Sequence, residues 1–390
     1  MLLSSSPSSA FAQTHEWAGY VSIEPRVFFD RPAFPEQDAD TVIPSAVAAP
    51  EFRYEWHDGD DRVTIAPFLR WDPNDSRRSH ADLREANWLH LADPWTLRIG
   101  VGKVFWGVTE SRHLVDVVNQ TDFLEDIDEE DKLGQPMIQV ERYTPGGKVG
   151  FFVLPGFRER TFPADDGRLR GALPIAHGHS VYESRAGDGH TDFAIRWEDR
   201  FGNWDLGVSA FHGTGREPRL EPEADSGRTV LVPHYDIVSQ AGIDLQYTRG
   251  AWAWKLEAIR RAGQGATFNA AVGGFEYTVY AIGGGRADLG VLAEYLYDGR
   301  DDRAPPTALE DDVFFGVRLS LNDFDDTMFL FGLITDRDSH GTVTFVEGQR
   351  RLGERWRFET ELRWLKNVKD LAFLGWREDS FLTARLARFF

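Results

Sequence analysis

The chain has 390 residues, with 43 Lys+Arg against 63 Asp+Glu, a formal charge of −20 and no cysteine. That balance excludes a nucleic-acid surface, which needs a basic face for phosphates, and the missing thiols exclude disulfide scaffolds, thiolate metal centres and cysteine catalysis. No apolar run approaches the ~20 residues of a membrane-crossing helix, while 28 Phe, 13 Trp, 10 Tyr and 37 Gly suit strands and turns.

The first residues end in Ala10-Phe11-Ala12, the small-x-small form of a signal-peptidase site. Residues 1–12 therefore read as a signal-peptide remnant, and 13–390 as a single domain starting near Gln13. Beyond it the dominant signal is a period of two, beginning with a strand over 18–28. Phe52, Tyr54 and Trp56 alternate with Arg53 and Glu55, and Val63, Ile65, Leu69 and Trp71 with Thr64 and Arg70. Further on, Phe193, Ile195 and Trp197 alternate with Asp192, Arg196 and Glu198. Ile243 to Tyr247, Trp252 to Leu256, Phe275 to Val279 and Val313 to Leu319 repeat the pattern. Segments 83–91, 327–336 and 341–350 alternate less cleanly. Trp356 to Trp364 is the plainest case: Trp356, Phe358, Leu362 and Trp364 share one face, Arg357, Glu359, Glu361 and Arg363 the other.

Connection lengths supply a second signal. Short turns rich in Gly, Asp and Pro fall at 58–61, 92–94, 144–147, 199–202, 249–250, 283–286, 321–326 and 351–354. Between them lie 30–50, 71–82, 105–136, 155–190, 213–238, 262–271, 298–311, 337–340 and 365–379, nearly all longer. Gly283-Gly284-Gly285 is one of the turns, since no helix follows to make it a phosphate loop. A soluble sandwich has no reason to place its long loops on alternate connections. The expected fold is all-β, a transmembrane antiparallel up-and-down barrel of 18 strands, with 16 as the nearest alternative.

The chain closes on Leu382, Ala384, Leu386 and Phe390, one face of a strand interrupted by Arg388. With the start signal, the alternation and the loop asymmetry, this resembles bacterial outer-membrane porin-type barrels over everything after about residue 15. The stretch 105–122, with Trp106, Gly107, Asn119 and Asp122, is similar to a poorly characterised group of proteobacterial outer-membrane proteins, in which this segment enters the barrel. The resemblance implies an outer-membrane location, contact with membrane lipid and lipopolysaccharide, a homotrimer as one assembly, and no cofactor.

Loop 105–136 carries the strongest functional signal, with seven carboxylates between Asp122 and Asp131. Folded inward as short helices packed through Leu114, Val115, Val117, Val118, Phe123, Leu124 and Ile127, it would narrow or plug the pore. Asp122, Glu125, Asp126 and Asp128 would then face a lumen ladder of Arg53, Arg70, Arg98, Arg196, Arg318, Arg357 and Arg363, with Glu359 and Glu361 among them. Such a transverse field selects solutes by charge and dipole. A solvated acidic surface loop is the plainer alternative. Calcium is a weaker one, because no mid-loop Gly gives the EF-hand turn.

Loop 155–190 is locally basic through Arg158, Arg160, Arg168 and Arg170, which suits contact with an anionic solute or sugar phosphate. His177 and His179 with Ser180 or Ser184 make a poor hydrolase dyad, since they fall in a Gly-rich loop and not on a strand; a third metal ligand is also missing nearby. The expected function is diffusion of a small solute through an outer-membrane channel, without catalysis. A channel for hydrophobic compounds or lipids, a lipid hydrolase and an adhesion barrel are the alternatives.

Overall fold

The computed structural model describes residues 13–367 and 374–390; the proposed signal remnant and part of the last long connection lie outside these residues. Among the described residues twenty-three strands follow one another. The first nine are β1 (Thr14–Ile23), β2 (Arg26–Phe28), β3 (Val42–Ile43), β4 (Ala46–Trp56), β5 (Asp61–Trp71), β6 (His80–Ala92), β7 (Trp95–Gly102), β8 (Gln135–Thr144) and β9 (Gly147–Pro155). Next come β10 (Val181–Tyr182), β11 (Thr191–Phe201), β12 (Trp204–Thr214), β13 (Arg219–Asp225), β14 (Arg228–Tyr235), β15 (Ile237–Arg249) and β16 (Trp252–Ala262). The last seven are β17 (Phe268–Val279), β18 (Asp288–Asp298), β19 (Asp311–Ser320), β20 (Met328–Asp336), β21 (Thr342–Leu352), β22 (Trp356–Lys366) and β23 (Phe381–Phe389).

Eighteen of these form a closed antiparallel wall in which each strand pairs with its neighbours in sequence. The seam joins Tyr20–Ile23 of β1 to Phe389–Leu386 of β23. The register continues unchanged into β2, where Arg26 faces Thr383, so 14–28 is one long strand interrupted at Glu24-Pro25 and contains the expected 18–28. β3 extends β4 in the same way, with Arg26 opposite Ile43. The three less clean segments are strands too, as β6, β20 and β21. β10, β13 and β14 instead make a small sheet outside the wall. Connection 213–238, read as a plain loop, thus contains a hairpin whose Tyr235 packs on Phe157 at 4.8 Å between ring centres.

The alternation sorts by side as a lipid-spanning wall requires. Ile65, Leu69, Trp71, Phe193, Ile195, Phe315 and Phe331 are exposed outward. Trp95, Trp204, Trp252 and Trp356 open strands at the short-turn end, while Trp71, Tyr297 and Trp364 lie near the long-loop end. These are the two rings of aromatics found at membrane interfaces. Within the wall, β4 and β5 pair at Ala46–Ala48 and again from Phe52, but not between, where Pro50 and Pro67 fall. A proline has no N–H for the ladder, and β5 takes a register shift against β6 at Ala66/Pro67. Gly19 sits beside this place at φ +136°, and a Cβ there would come 2.4 Å from the Ala49 carbonyl oxygen.

Inside, one half of the lumen is apolar. Phe152, Leu154, Phe211, Val238, Ile259, Val272, Leu292, Leu296, Phe314 and Phe345 point inward and are buried. A water-filled bore has no reason to line itself with such residues; something must cover them.

Candidate functional site

The cover is segment 103–134, which leaves β7 and returns to the adjacent β8 yet touches walls all round the lumen. Its first reach ends on the far side. Glu257 of β16, fully buried, accepts hydrogen bonds from the N–H groups of Val108 (2.8 Å), Thr109 (3.1 Å) and Val115 (3.2 Å) and from the Thr109 hydroxyl (2.7 Å). Glu294 of β18 accepts from the N–H groups of Glu110 and Ser111, both at 2.8 Å, and from the Ser111 hydroxyl at 2.6 Å. Two wall carboxylates thus hold loop backbone, satisfying donors that would otherwise be stranded in the interior. Gly107 makes the approach, because at φ +152° a Cβ would stand 3.0 Å from a Glu257 oxygen and 2.8 Å from His113 Nδ1.

Leu114, Val115, Val117 and Val118 then pack on the inward apolar residues, with Trp106 edge-on to Phe152 at 5.5 Å. The expected short helices are absent: 103–134 contains turns, extended chain and one bridge from Thr121 to Lys132. Asn119 explains why. Its side chain accepts from Val104 N–H (2.9 Å) and donates to the carbonyls of Gly102 (3.0 Å) and Leu133 (2.9 Å). A side chain that bonds three backbone groups replaces the ladder a helix would provide.

The acidic run lies against the near wall. Asp122 meets Arg84 of β6 at 2.5 Å and the Thr161 hydroxyl at 2.7 Å. Glu125 accepts from Arg70 of β5 at 2.8 Å, Asp126 from Arg26 of β2 at 3.4 Å, and Asp128 from Arg363 of β22 at 2.8 Å. Arg70 also holds Glu24 at 2.8 Å, and Arg363 holds Glu361 at 2.6 Å and Glu347 at 3.0 Å. The structure thereby departs from opposed charges across an open constriction: two rungs of the ladder are in contact with the acids. Ions brought out of water gain most by direct pairing with further hydrogen bonds.

The other named residues lie elsewhere. Arg196 pairs with Asp244 at 2.7 and 2.8 Å and lies over the Trp106 ring at 5.3 Å. Arg318 bonds Glu276 at 3.0 Å and Glu110 of the loop at 2.7 Å. Arg53 pairs with Glu51 at 2.7 Å, Arg357 with Glu359 at 3.6 Å, and Glu359 also with Arg385 at 2.9 Å, all without touching the loop. Arg98 is half-buried on β7, its Nε without a hydrogen-bond partner among the described residues. Sequence reading missed Arg26, Arg84 and Glu294 altogether and gave Glu257 no role. Glu257 and Glu294 stand at inward positions of β16 and β18, and strand alternation does not separate a loop anchor from a solvated lumen charge.

Asp122 and Glu125, with His80, are close enough to share a metal ion. Each of these carboxylates, however, already holds a guanidinium, so a cation would enter beside Arg84 and Arg70. The donor set does not fit calcium. Arg84 also sets how Asp122 titrates. Burial alone would raise its carboxyl, but the Arg84 charge and the Thr161 and Arg84 hydrogen bonds outweigh that and hold it below the usual carboxylate value. A lowered folded-state value gives stability that is complete above the ordinary value, near 3.9, and is lost as pH falls through the lowered one. Channel recordings are therefore expected to show the loop loosening only below about pH 4, with Asp122→Asn already loose at neutral pH.

Above the loop, toward the long connections, lies a cavity of 1030 Å³ bounded by 110–132, 160–175, 216–222, 300–310 and the ends of β20 to β22. Its arginines are already engaged. Arg112 bonds Asp298, Arg160 bonds Glu129, Arg216 bonds Asp192, Arg219 bonds Asp236, Arg300 bonds Glu217 and Asp298, and Arg303 bonds Asp301. The basic stretch of loop 155–190 is neutralised as well: Arg158 meets Asp82 at 2.6 Å, Arg168 meets Asp379 at 2.6 Å and Arg170 faces Glu36 at 3.6 Å. Its expected contact with an anionic solute is thus replaced by internal pairing. No hydrogen bond joins His177 or His179 to Ser180 or Ser184 among the described residues. Phe123 stacks obliquely on Trp376 at 5.7 Å and on Phe162 at 6.4 Å along the cavity edge, under the Arg160 guanidinium.

No protein-family model matches the chain, and no curated protein matches it. Solved structures do. The chain is similar to Wzi of Escherichia coli, an outer-membrane protein of group 1 capsule assembly described as a carbohydrate-binding β-barrel, with TM-score 0.53 and 11% identity over 94% of this chain and 83% of that one. It also aligns with OmpT, an outer-membrane protein of Vibrio cholerae (loop-deletion form), at TM-score 0.45 and 8% identity over 97% of this chain and all of that one. A Rh. blastica porin variant gives 0.45 and 12% over the same shares. At these identities the likeness is one of fold. The chain has the fold of outer-membrane β-barrels, and a closed wall with an apolar exterior of this kind belongs in the bacterial outer membrane.

Proposed function

We propose that the chain is a non-catalytic outer-membrane channel in which segment 103–134 narrows or plugs the bore and the outer cavity receives a small polar solute. The observation that carries this is the anchoring of one loop to opposite walls, by Glu257 and Glu294 on one side and by Arg70, Arg84 and Arg363 on the other. A loop tied at both ends across a lumen sets the width and chemistry of whatever path remains. The pore-lining set is then Asp122, Glu125, Asp126 and Asp128 with Arg70 and Arg363 at the loop, and Arg53, Arg98, Arg196, Arg318, Arg357, Glu359 and Glu361 along the approach from the short-turn end.

The cavity favours a neutral solute. Its guanidiniums are paired with carboxylates, leaving little free charge for an anion, whereas Phe123, Phe162 and Trp376 offer ring faces. Sugars meet such a mixture well, with apolar C–H faces against rings and hydroxyls against paired charges. Wzi, by its description, binds carbohydrate, which agrees with this reading. Proteoliposomes holding the chain are expected to swell in neutral mono- and disaccharides faster than in charged solutes of equal size. Equal rates for both would overturn the preference for neutral solutes, and no swelling even with residues 113–131 deleted would overturn the channel. Contacts with lipopolysaccharide at the long-loop end and assembly as a homotrimer belong to the same proposal, and chemical cross-linking in native membranes reads the second.

A further inference from the structure

Arg388 is left unexplained by a lumen function. It stands on β23 at an outward position, opposite Trp356 of β22 and Val21 of β1, and it is exposed. Two other outward arginines have company: Arg260 donates to Asn269 at 3.2 Å and Arg142 lies over the Trp95 ring at 4.9 Å. The Arg388 side chain has no hydrogen bond or ion pair among the described residues. It lies two residues from the chain end, beside the turn that opens β22, hence at the periplasmic side. A charge on a lipid-facing wall is costly unless it reaches the headgroup level.

The wall beside it is hollowed. A groove of 620 Å³ runs from Trp356 and Arg388 across the seam, over Val21, Ile23, Ala46, Ala48, Leu69 and Trp71. The register shows how it forms: the row Trp356–Arg388–Val21–Ala48–Leu69 crosses five strands, and its middle is small. Strand shear makes the row climb from the periplasmic end of β22 toward the outer end of β5, which tilts the groove along the membrane normal.

We infer that this groove is a binding site for one anionic phospholipid of the periplasmic leaflet. Its phosphate meets Arg388 beside Trp356, and an acyl chain runs from there over Val21 and Ala48. Charge complementarity selects the headgroup, since an unpaired guanidinium offers a forked donor to phosphate oxygens, and the apolar hollow takes the tail. The test is native mass spectrometry of the refolded full barrel, delipidated and then offered dioleoyl phosphatidylglycerol or dioleoyl phosphatidylcholine. The parent should retain one phosphatidylglycerol, about fivefold in preference to phosphatidylcholine, the worth of one arginine beside an anionic surface. Arg388→Gln should lose the preference and keep the tail site, whereas Ala48→Trp should lose retention of both lipids. Heat-modifiable migration confirms that each variant is folded. Equal retention of the two lipids by the parent, or an unchanged preference in Arg388→Gln, overturns the site. So does efficient copy-to-copy cross-linking of Ala48→Cys, which would make this face an oligomer interface.

Discussion

Deleting residues 113–131 is expected to raise single-channel conductance several-fold while leaving a folded barrel. Eighteen strands about 4.8 Å apart and tilted by roughly 40° close into a wall about 35 Å across between backbones. A bore of that size is wide even after inward side chains take their share, so the obstacle is the segment that crosses it. The wall does not depend on that segment for its ladder, because each strand pairs with its sequence neighbours. What the deletion exposes is Arg70, Arg84, Arg363 and the apolar patch around Phe314, the first three of which water solvates readily. Planar-bilayer recording reads the conductance and heat-modifiable migration reads the fold. A folded variant with parental conductance would mean that the segment does not set the path.

The second large effect should come from a single carboxylate. Glu257→Ala removes the acceptor for three loop N–H groups and one hydroxyl. Each buried donor so stranded costs about 1–3 kcal/mol, more in total than a loop held at its margins can lose without shifting. The expected result is noisy, larger conductance and new proteolytic cleavage between 105 and 118. Glu294→Ala should act in the same direction and less strongly, having three bonds to lose. Glu257→Gln keeps an acceptor oxygen and should fall between. Glu198→Ala, which removes a wall partner of Lys148 and Arg196 but touches no loop atom, is the control and should change neither readout. If Glu257→Ala matches that control, the far wall does not hold the loop.

The wall was legible because its rule is local. A residue's parity decides lipid or lumen, so Trp356, Phe358 and Trp364 declared their face without any knowledge of partners. Strand count followed from turns such as 144–147 and 249–250, where Gly and charge allow reversal. The loop obeys no such rule. The apolar run Leu114–Val118 reads as a helix face when taken alone, yet Glu257 accepts from Val115 N–H while Gln240 and Arg216 donate to the Leu114 and Val118 carbonyls, and these distant side chains take the backbone groups a helix would use. The acids of 122–128 read as charges awaiting a field, because their partners Arg26 and Arg84 lie far off in sequence at strand positions that alternate poorly. Loop 155–190 shows the same limit. Its arginines announced a sign of charge, and only the fold shows Asp82, Glu129 and Asp379 already answering it.

The tethering of one loop to opposite walls also bears on how the molecule is made. Wall pairing joins near neighbours, so hairpins can form in succession with little loop-closure cost. The loop's bonds join residues much further apart: Thr109 and Glu257 are separated by 148 positions, Asp128 and Arg363 by 235. Those contacts cannot exist until β16 and then β22 are in place, and once the seam shuts, the segment has to thread in from one end. Insertion of the loop and closure of the β1–β23 seam are therefore parts of one late, slow event. A chain arrested before it would show native strand content, an unpaired edge at each end and a segment 103–134 open to protease.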